Sequence, residues 1–69
     1  MSASAYTPIF RQLAPNYDPR HVEAYIRLQY STLDHLSVQD LKRETAIAKV
    51  CIDIGGRDKA ERLAESYNL

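Results

Sequence analysis

Few residues here carry side chains able to do chemistry near neutral pH, and their spacing decides what they can do. Two histidines, His21 and His35, and one cysteine, Cys51, are the candidates for general base, metal ligand or nucleophile. His21 falls near the start of a helix and His35 in the loop before the next. Neither has a nucleophile or second ligand at helical spacing, so His21 reads as a first-turn residue and His35 as a loop hydrogen-bonder. Asp34 precedes His35, but adjacent side chains point in different directions. Cys51 lies toward the C-terminal end of a mostly apolar helix, where the helix dipole disfavours a thiolate. It reads as a small core residue. A structural zinc site takes four N or S ligands, more than these three residues supply. No catalytic residue, cofactor or metal is therefore assigned, and the chain reads as a non-enzyme.

The Gly55-Gly56 pair raises two further chemistries. A phosphate-binding loop follows a strand and ends in Lys-Ser/Thr at a helix start. Here a helix precedes the pair and Arg57-Asp58 follows it, which places an acid where a phosphate would sit. A helix-turn-helix has the right order, with Val38–Ile54 before the pair and Arg57–Tyr67 after it. The second helix sets Arg57, Lys59 and Arg62 against Asp58, Glu61 and Glu65, a balance that opposes a polyanion. A small DNA-binding regulator using that helix is thus the alternative reading.

Five tyrosines, Tyr6, Tyr17, Tyr25, Tyr30 and Tyr67, stand beside one Phe and no Trp. Tyrosine covers apolar surface and keeps a polar tip, which suits interfaces and equally suits the wet rim of a thin core.

These groups are positioned by helices. In "TPIFRQLAP", Thr7 can cap a short turn, Pro8 fits its first position and Pro15 stops it. In the next segment Asp18 caps and Pro19 begins a helix running to about Ser31. Val22, Tyr25, Ile26, Gln29 and Tyr30 trace its stripe, with Leu28 off it. "LSVQDL" carries a capping box, Ser37 with Asp40, and a hydrophobic staple, Leu36 with Leu41. Its helix should span Val38–Ile54 and end at Gly55, a residue suited to the left-handed C-terminal cap. On the helical wheel Leu41, Thr45, Ala48 and Ile52 form one face. Ile47, Val50 and Ile54, with Cys51 at the flank, form another, and this width marks a central helix covered on two sides. The last helix turns Ala60, Leu63, Ala64 and Tyr67 inward, with Arg57–Glu61 and Asp58–Arg62 as outer charge pairs.

At 69 residues the chain is one domain, 1–69, with residues 1–6 expected to lack fixed structure. A chain this small buries only roughly 60% of its unfolded surface, so it needs a disulfide, a metal or a second copy. The single cysteine leaves oligomerisation. Nine basic and nine acidic residues cancel, which disfavours nucleic acid. The apolar runs are too short to span a bilayer, and "MSASAYTPIF" lacks the pattern of a secretory signal, so a cytoplasmic location is expected.

The stretches "RHVEAYIRLQYSTLDHLS", "AKVCIDIGG" and "AERLAESYNL" resemble a set of short bacterial proteins, some from prophage-type gene neighbourhoods. The resemblance implies a small helical protein and no activity, and it assigns no site residue.

The expected fold is all-α: three helices in a small bundle or open array, a short N-terminal helical turn, and completion by dimerisation. Leu41, Ala48, Ile52, Ile26 and Leu63 should be core. Ile47, Val50 and Ile54, with Tyr25, Tyr30 and Tyr67, are the candidate interface of a non-catalytic protein-interaction module. Its partner is a second copy, with exchange of a terminal segment as one route, or another protein.

Overall fold

A computed structural model describes residues 4–69. Four helices follow one another: α1 Thr7–Leu13, α2 Pro19–Arg27, α3 Val38–Cys51 and α4 Arg57–Ser66, with a kink over Ile52–Gly56 between the last two. The fold is all-α, and no strand occurs among the described residues.

Helices α2 and α3 start where side chains supply partners for their free N–H groups. Asp18 is extended and its side chain accepts from the Arg20 N–H at 2.9 Å. Ser37 and Asp40 form the full reciprocal capping box, with bonds of 3.1 and 3.2 Å. Thr7 does not cap α1. It is the first helical residue, because Ser4 already occupies the turn: its hydroxyl accepts from Tyr6 N–H and its carbonyl from Thr7 N–H.

Ser4 donates to Glu23, and Tyr6 packs against the core with its hydroxyl bonded to Asp34. The expectation for residues 1–3 lies outside the described residues.

Helix α2 stops at Arg27 rather than Ser31. The Leu28 and Gln29 N–H groups bond back three residues, tightening the last turn, and Arg27 Nη1 takes the Ser31 carbonyl at 3.3 Å. Helix α3 ends at Cys51, and the chain leaves helical geometry at Ile54 and at Gly55, whose φ of +96° favours glycine. At the C-terminus Asn68 is left-handed, Asn68 N–H bonds Glu65 O and Leu69 N–H bonds Ala64 O. This is a Schellman ending, and Leu69 makes its apolar contact with α4.

The hub is α2, not α3. On one side Val22 and Ile26 join Phe10, Ala14, Leu33, Leu41, Ala48 and Ile52. On another, Ala24 meets Ala64 and Leu69, and both alanines are fully buried, as is Ala60. Alanine against alanine lets α2 and α4 approach closely, which makes this the most extensive helix pair. Leu63 and Tyr67 only flank that cluster, so Leu63 is a half-buried border residue instead of core.

The accessible surface is 4389 Å², against about 4,400 Å² for a compact monomer of this mass. The single chain is thus as compact as a monomer of its size.

Candidate interaction surface

Helix α3 presents two apolar faces in different surroundings. Leu41, Thr45, Ala48 and Ile52 are buried against α2 and α1, while Ile47, Val50 and Ile54 are 46%, 58% and 79% exposed. The spacing of three and four carries the exposed set up one side of the helix, with half-buried Cys51 at its flank. Within one chain α3 is thus covered on one side, that of α2 and α1. Two short neighbours and a turn fill only the inner half of its apolar surface.

Leu28, 49% exposed, extends this face onto α2. Between the two helices runs an open groove of about 200 Å³. Its floor is Tyr25, Ile26 and Ala48. Leu28 and Ile47 form its lips, and Glu44, Cys51 and Lys59 complete the lining with Gln29.

Tyr25 shapes one end. Its hydroxyl donates to the Gly56 carbonyl at 2.8 Å, and burial pushes its pKa up. A Cβ on Gly56 would collide with that hydroxyl and with the Cys51 carbonyl, so only glycine lets the kink close against Tyr25. The kink in turn places Lys59 of α4 beside the groove. Glu44 stands at the other end and accepts from the Tyr30 hydroxyl over 3.4 Å. Glu44 is only 7% exposed, and no Lys or Arg among the described residues lies within ion-pair distance of it.

Of the six expected interface residues, the structure brings Ile47, Val50 and Ile54 into one row and sets Tyr25 in the groove lining, while Tyr30 packs on the core and reaches the groove only through its bond to Glu44. Tyr67 is elsewhere. Its ring packs with the Ala24, Ala64 and Leu69 cluster, because the Schellman ending turns it onto α2. Lys59, Glu44 and Leu28 belong to the surface and escaped the sequence reading. Leu28 lying off the α2 stripe was the available signal.

The remaining candidate groups serve the fold. His21 Nε2 lies 3.4 Å from Glu61 and 3.7 Å from Asp18, and Arg20 Nη2 lies 3.1 Å from Glu61. Glu61 is therefore engaged with α2 and not with Arg57, and no Asp58–Arg62 pair forms among the described residues. Arg20 Nε also takes the Leu69 carbonyl at 3.0 Å. His35 is exposed in the α2–α3 loop. Neither histidine lines the groove with Cys51. Tyr17 donates to both oxygens of Asp53 at 2.7 and 2.8 Å and lies 5.9 Å from Lys49 Nζ. The Asp53 bond raises the Tyr17 pKa. Glu23, 1% exposed, is satisfied by Arg27 at 2.9 Å and Ser4 at 3.1 Å.

Among the described residues no group of three or more His, Cys, Asp or Glu is placed to hold a metal ion. Nor is any helix long and apolar enough to cross a membrane. Compared with protein-family models, with curated proteins and with solved structures, the chain matches none.

Proposed function

We propose that the chain is a non-catalytic interaction module that associates with a second copy of itself through the outer face of α3. The observation that carries this reading is the row of Ile47 and Val50 on α3 and Ile54 in the kink that follows it, all in water and widened by Leu28. Single exposed aliphatic residues are ordinary on any surface, but a contiguous apolar patch beside a groove marks a contact surface. Burying such side chains gains on the order of 1 kcal/mol or more each. Tyr25 gives the groove a rigid wall with a polar tip, a composition favoured at interfaces.

Sedimentation equilibrium at several concentrations, in low and high salt, tests the reading. A dimer that persists at high salt is expected for the native chain, since apolar burial carries the contact. Ile47→Asp with Val50→Asp should yield a monomer with unchanged helix content, because both positions face water. A double variant that stays dimeric at micromolar concentration overturns the assignment of this face, and a native chain monomeric throughout overturns self-association.

A further inference from the structure

We propose that the outer face of α3 is complementary to itself in one orientation only. The two copies run α3 antiparallel, around a two-fold axis passing beside Val50 and Cys51. This rests on the reading of that face as a subunit contact and adds the direction and the groups that meet.

The row itself sets the axis. Ile47, Val50, Cys51 and Ile54 stand at the spacing of a helix–helix seam. In an isologous contact, residue i meets j and j meets i. The midpoint of Ile47 and Ile54 falls between Val50 and Cys51. A two-fold axis there sets Ile47 of each copy against Ile54 of the other, and brings the two Val50–Cys51 steps together at the centre. The most exposed member of the row, Ile54 at 79%, thereby reaches the lip of the groove, where Ile47 and Leu28 stand.

Charge selects the direction. Glu44 closes the groove at one end, nearly buried, reached only by the long bond from Tyr30 and by no cation among the described residues. Lys59 lines the groove from the first turn of α4, beyond the Cys51 end of α3, is exposed, and forms no ion pair among the described residues. Glu44 and Cys51 are seven residues apart, about 10 Å along the helix, so the acid and the base stand at opposite ends. A parallel pair would set Glu44 against Glu44 and Lys59 against Lys59. The antiparallel pair brings each Glu44 toward Lys59 of the other copy. That supplies the counter-charge a desolvated carboxylate needs, and like-charge contact disfavours the alternative. Lys59 rather than Arg57 is taken as the cation because Lys59 lines the groove and Arg57 does not. A contact of one helix face and its flanks is small as interfaces go, so affinity on the order of micromolar is expected.

Sedimentation equilibrium on the full chain first reports whether a dimer exists. A short bismaleimide then reports its direction. In the native chain Cys51 lies beside the axis and should be linked within the dimer. In the chain carrying Cys51→Ser with Arg43→Cys, an exposed position on the same side of α3 as the row, the two thiols lie roughly 22 Å apart along an antiparallel pair and adjacent in a parallel one. No link is expected there. Lys59→Glu, at an exposed position, should weaken association about tenfold at low salt and less at high salt. A dimer linked through Arg43→Cys, a dimer linked at neither position, or one indifferent to Lys59→Glu overturns the antiparallel register while leaving self-association standing. A native chain that is monomeric throughout overturns both.

Discussion

The two faces of α3 are built from the same kinds of residue and meet opposite fates. Ala48 and Ile52 are 2% and 5% exposed, and Val50, two residues from each, is 58% exposed. The inner face is covered because α2 offers Val22 and Ile26 at matching height and Leu33 drops from the connecting loop into the remaining gap. The outer face has only the end of α2 beside it, and α2 stops at Arg27, which leaves Leu28 standing over a groove instead of sealing it. Apolar character on a helix thus does two jobs here. One closes the monomer, and the other remains outside a core already complete.

The widest separation between the faces should appear in stability. Ile52→Ala removes a packed side chain next to α2 and should cost about 2–4 kcal/mol. Val50→Ala removes atoms already in water and should cost no more than about 0.5 kcal/mol. Urea unfolding at concentrations low enough to keep the chain monomeric measures both. Equal costs would mean that the outer face is covered within the chain, and the contrast between the faces would collapse.

A smaller effect tests whether the kink, rather than a partner, builds the end of the groove. Gly56→Ala drives a Cβ into the Tyr25 hydroxyl and the Cys51 carbonyl, and overpacking of this kind costs typically about 1–3 kcal/mol. Removing one obstacle with Tyr25→Phe in the same chain should recover part of the loss. It should not recover all, because the carbonyl is backbone and cannot swing aside. Full recovery would place the whole constraint on the tyrosine, and no loss from Gly56→Ala would show that the kink opens freely.

What could be read from sequence divides along the same line. Signals confined to one turn were legible: Asp18 before Pro19, the Ser37–Asp40 box, and the left-handed Gly55 each have partners within a few residues. The apolar width of α3 was legible too, but the wheel does not say which face finds a neighbour. The hub role of α2 was hidden because Ala24, Ala60 and Ala64 give weak hydropathy signals, and their value lies in how closely they let two backbones approach. The engagement of Glu61 with Arg20 and His21 was hidden for a similar reason. Within α4 alone, Arg57 looks like its natural partner, and only the docking of α4 on α2 offers better ones. For the interaction surface, Ile47, Val50 and Ile54 came from periodicity. Lys59 and Glu44 became part of it only once the kink and α2 had set the groove.

The smallest expected effect concerns the start of α3, on which both faces depend. Asp40 accepts from the Ser37 N–H at 3.2 Å and from Arg43 Nη2 at 2.8 Å. The backbone bond is the main reason its carboxyl is held below the usual carboxylate range. A carboxyl more acidic in the folded chain than in the unfolded one contributes stability that is fully present above the ordinary carboxylate pKa. That contribution is lost as pH falls through the folded value. Asp40→Asn should therefore destabilise slightly at neutral pH and have no effect once the native carboxyl is protonated as well. Ser37→Ala behaves differently: it removes the acceptor for the Asp40 N–H, costing about 1 kcal/mol, and that loss should persist into acid. Urea midpoints of the native chain and both variants, at neutral pH and at about pH 2, separate the two halves of the box. If Asp40→Asn costs the same at both, the carboxylate acts by shape and not by charge. If Ser37→Ala loses its cost in acid, the two bonds act as one unit.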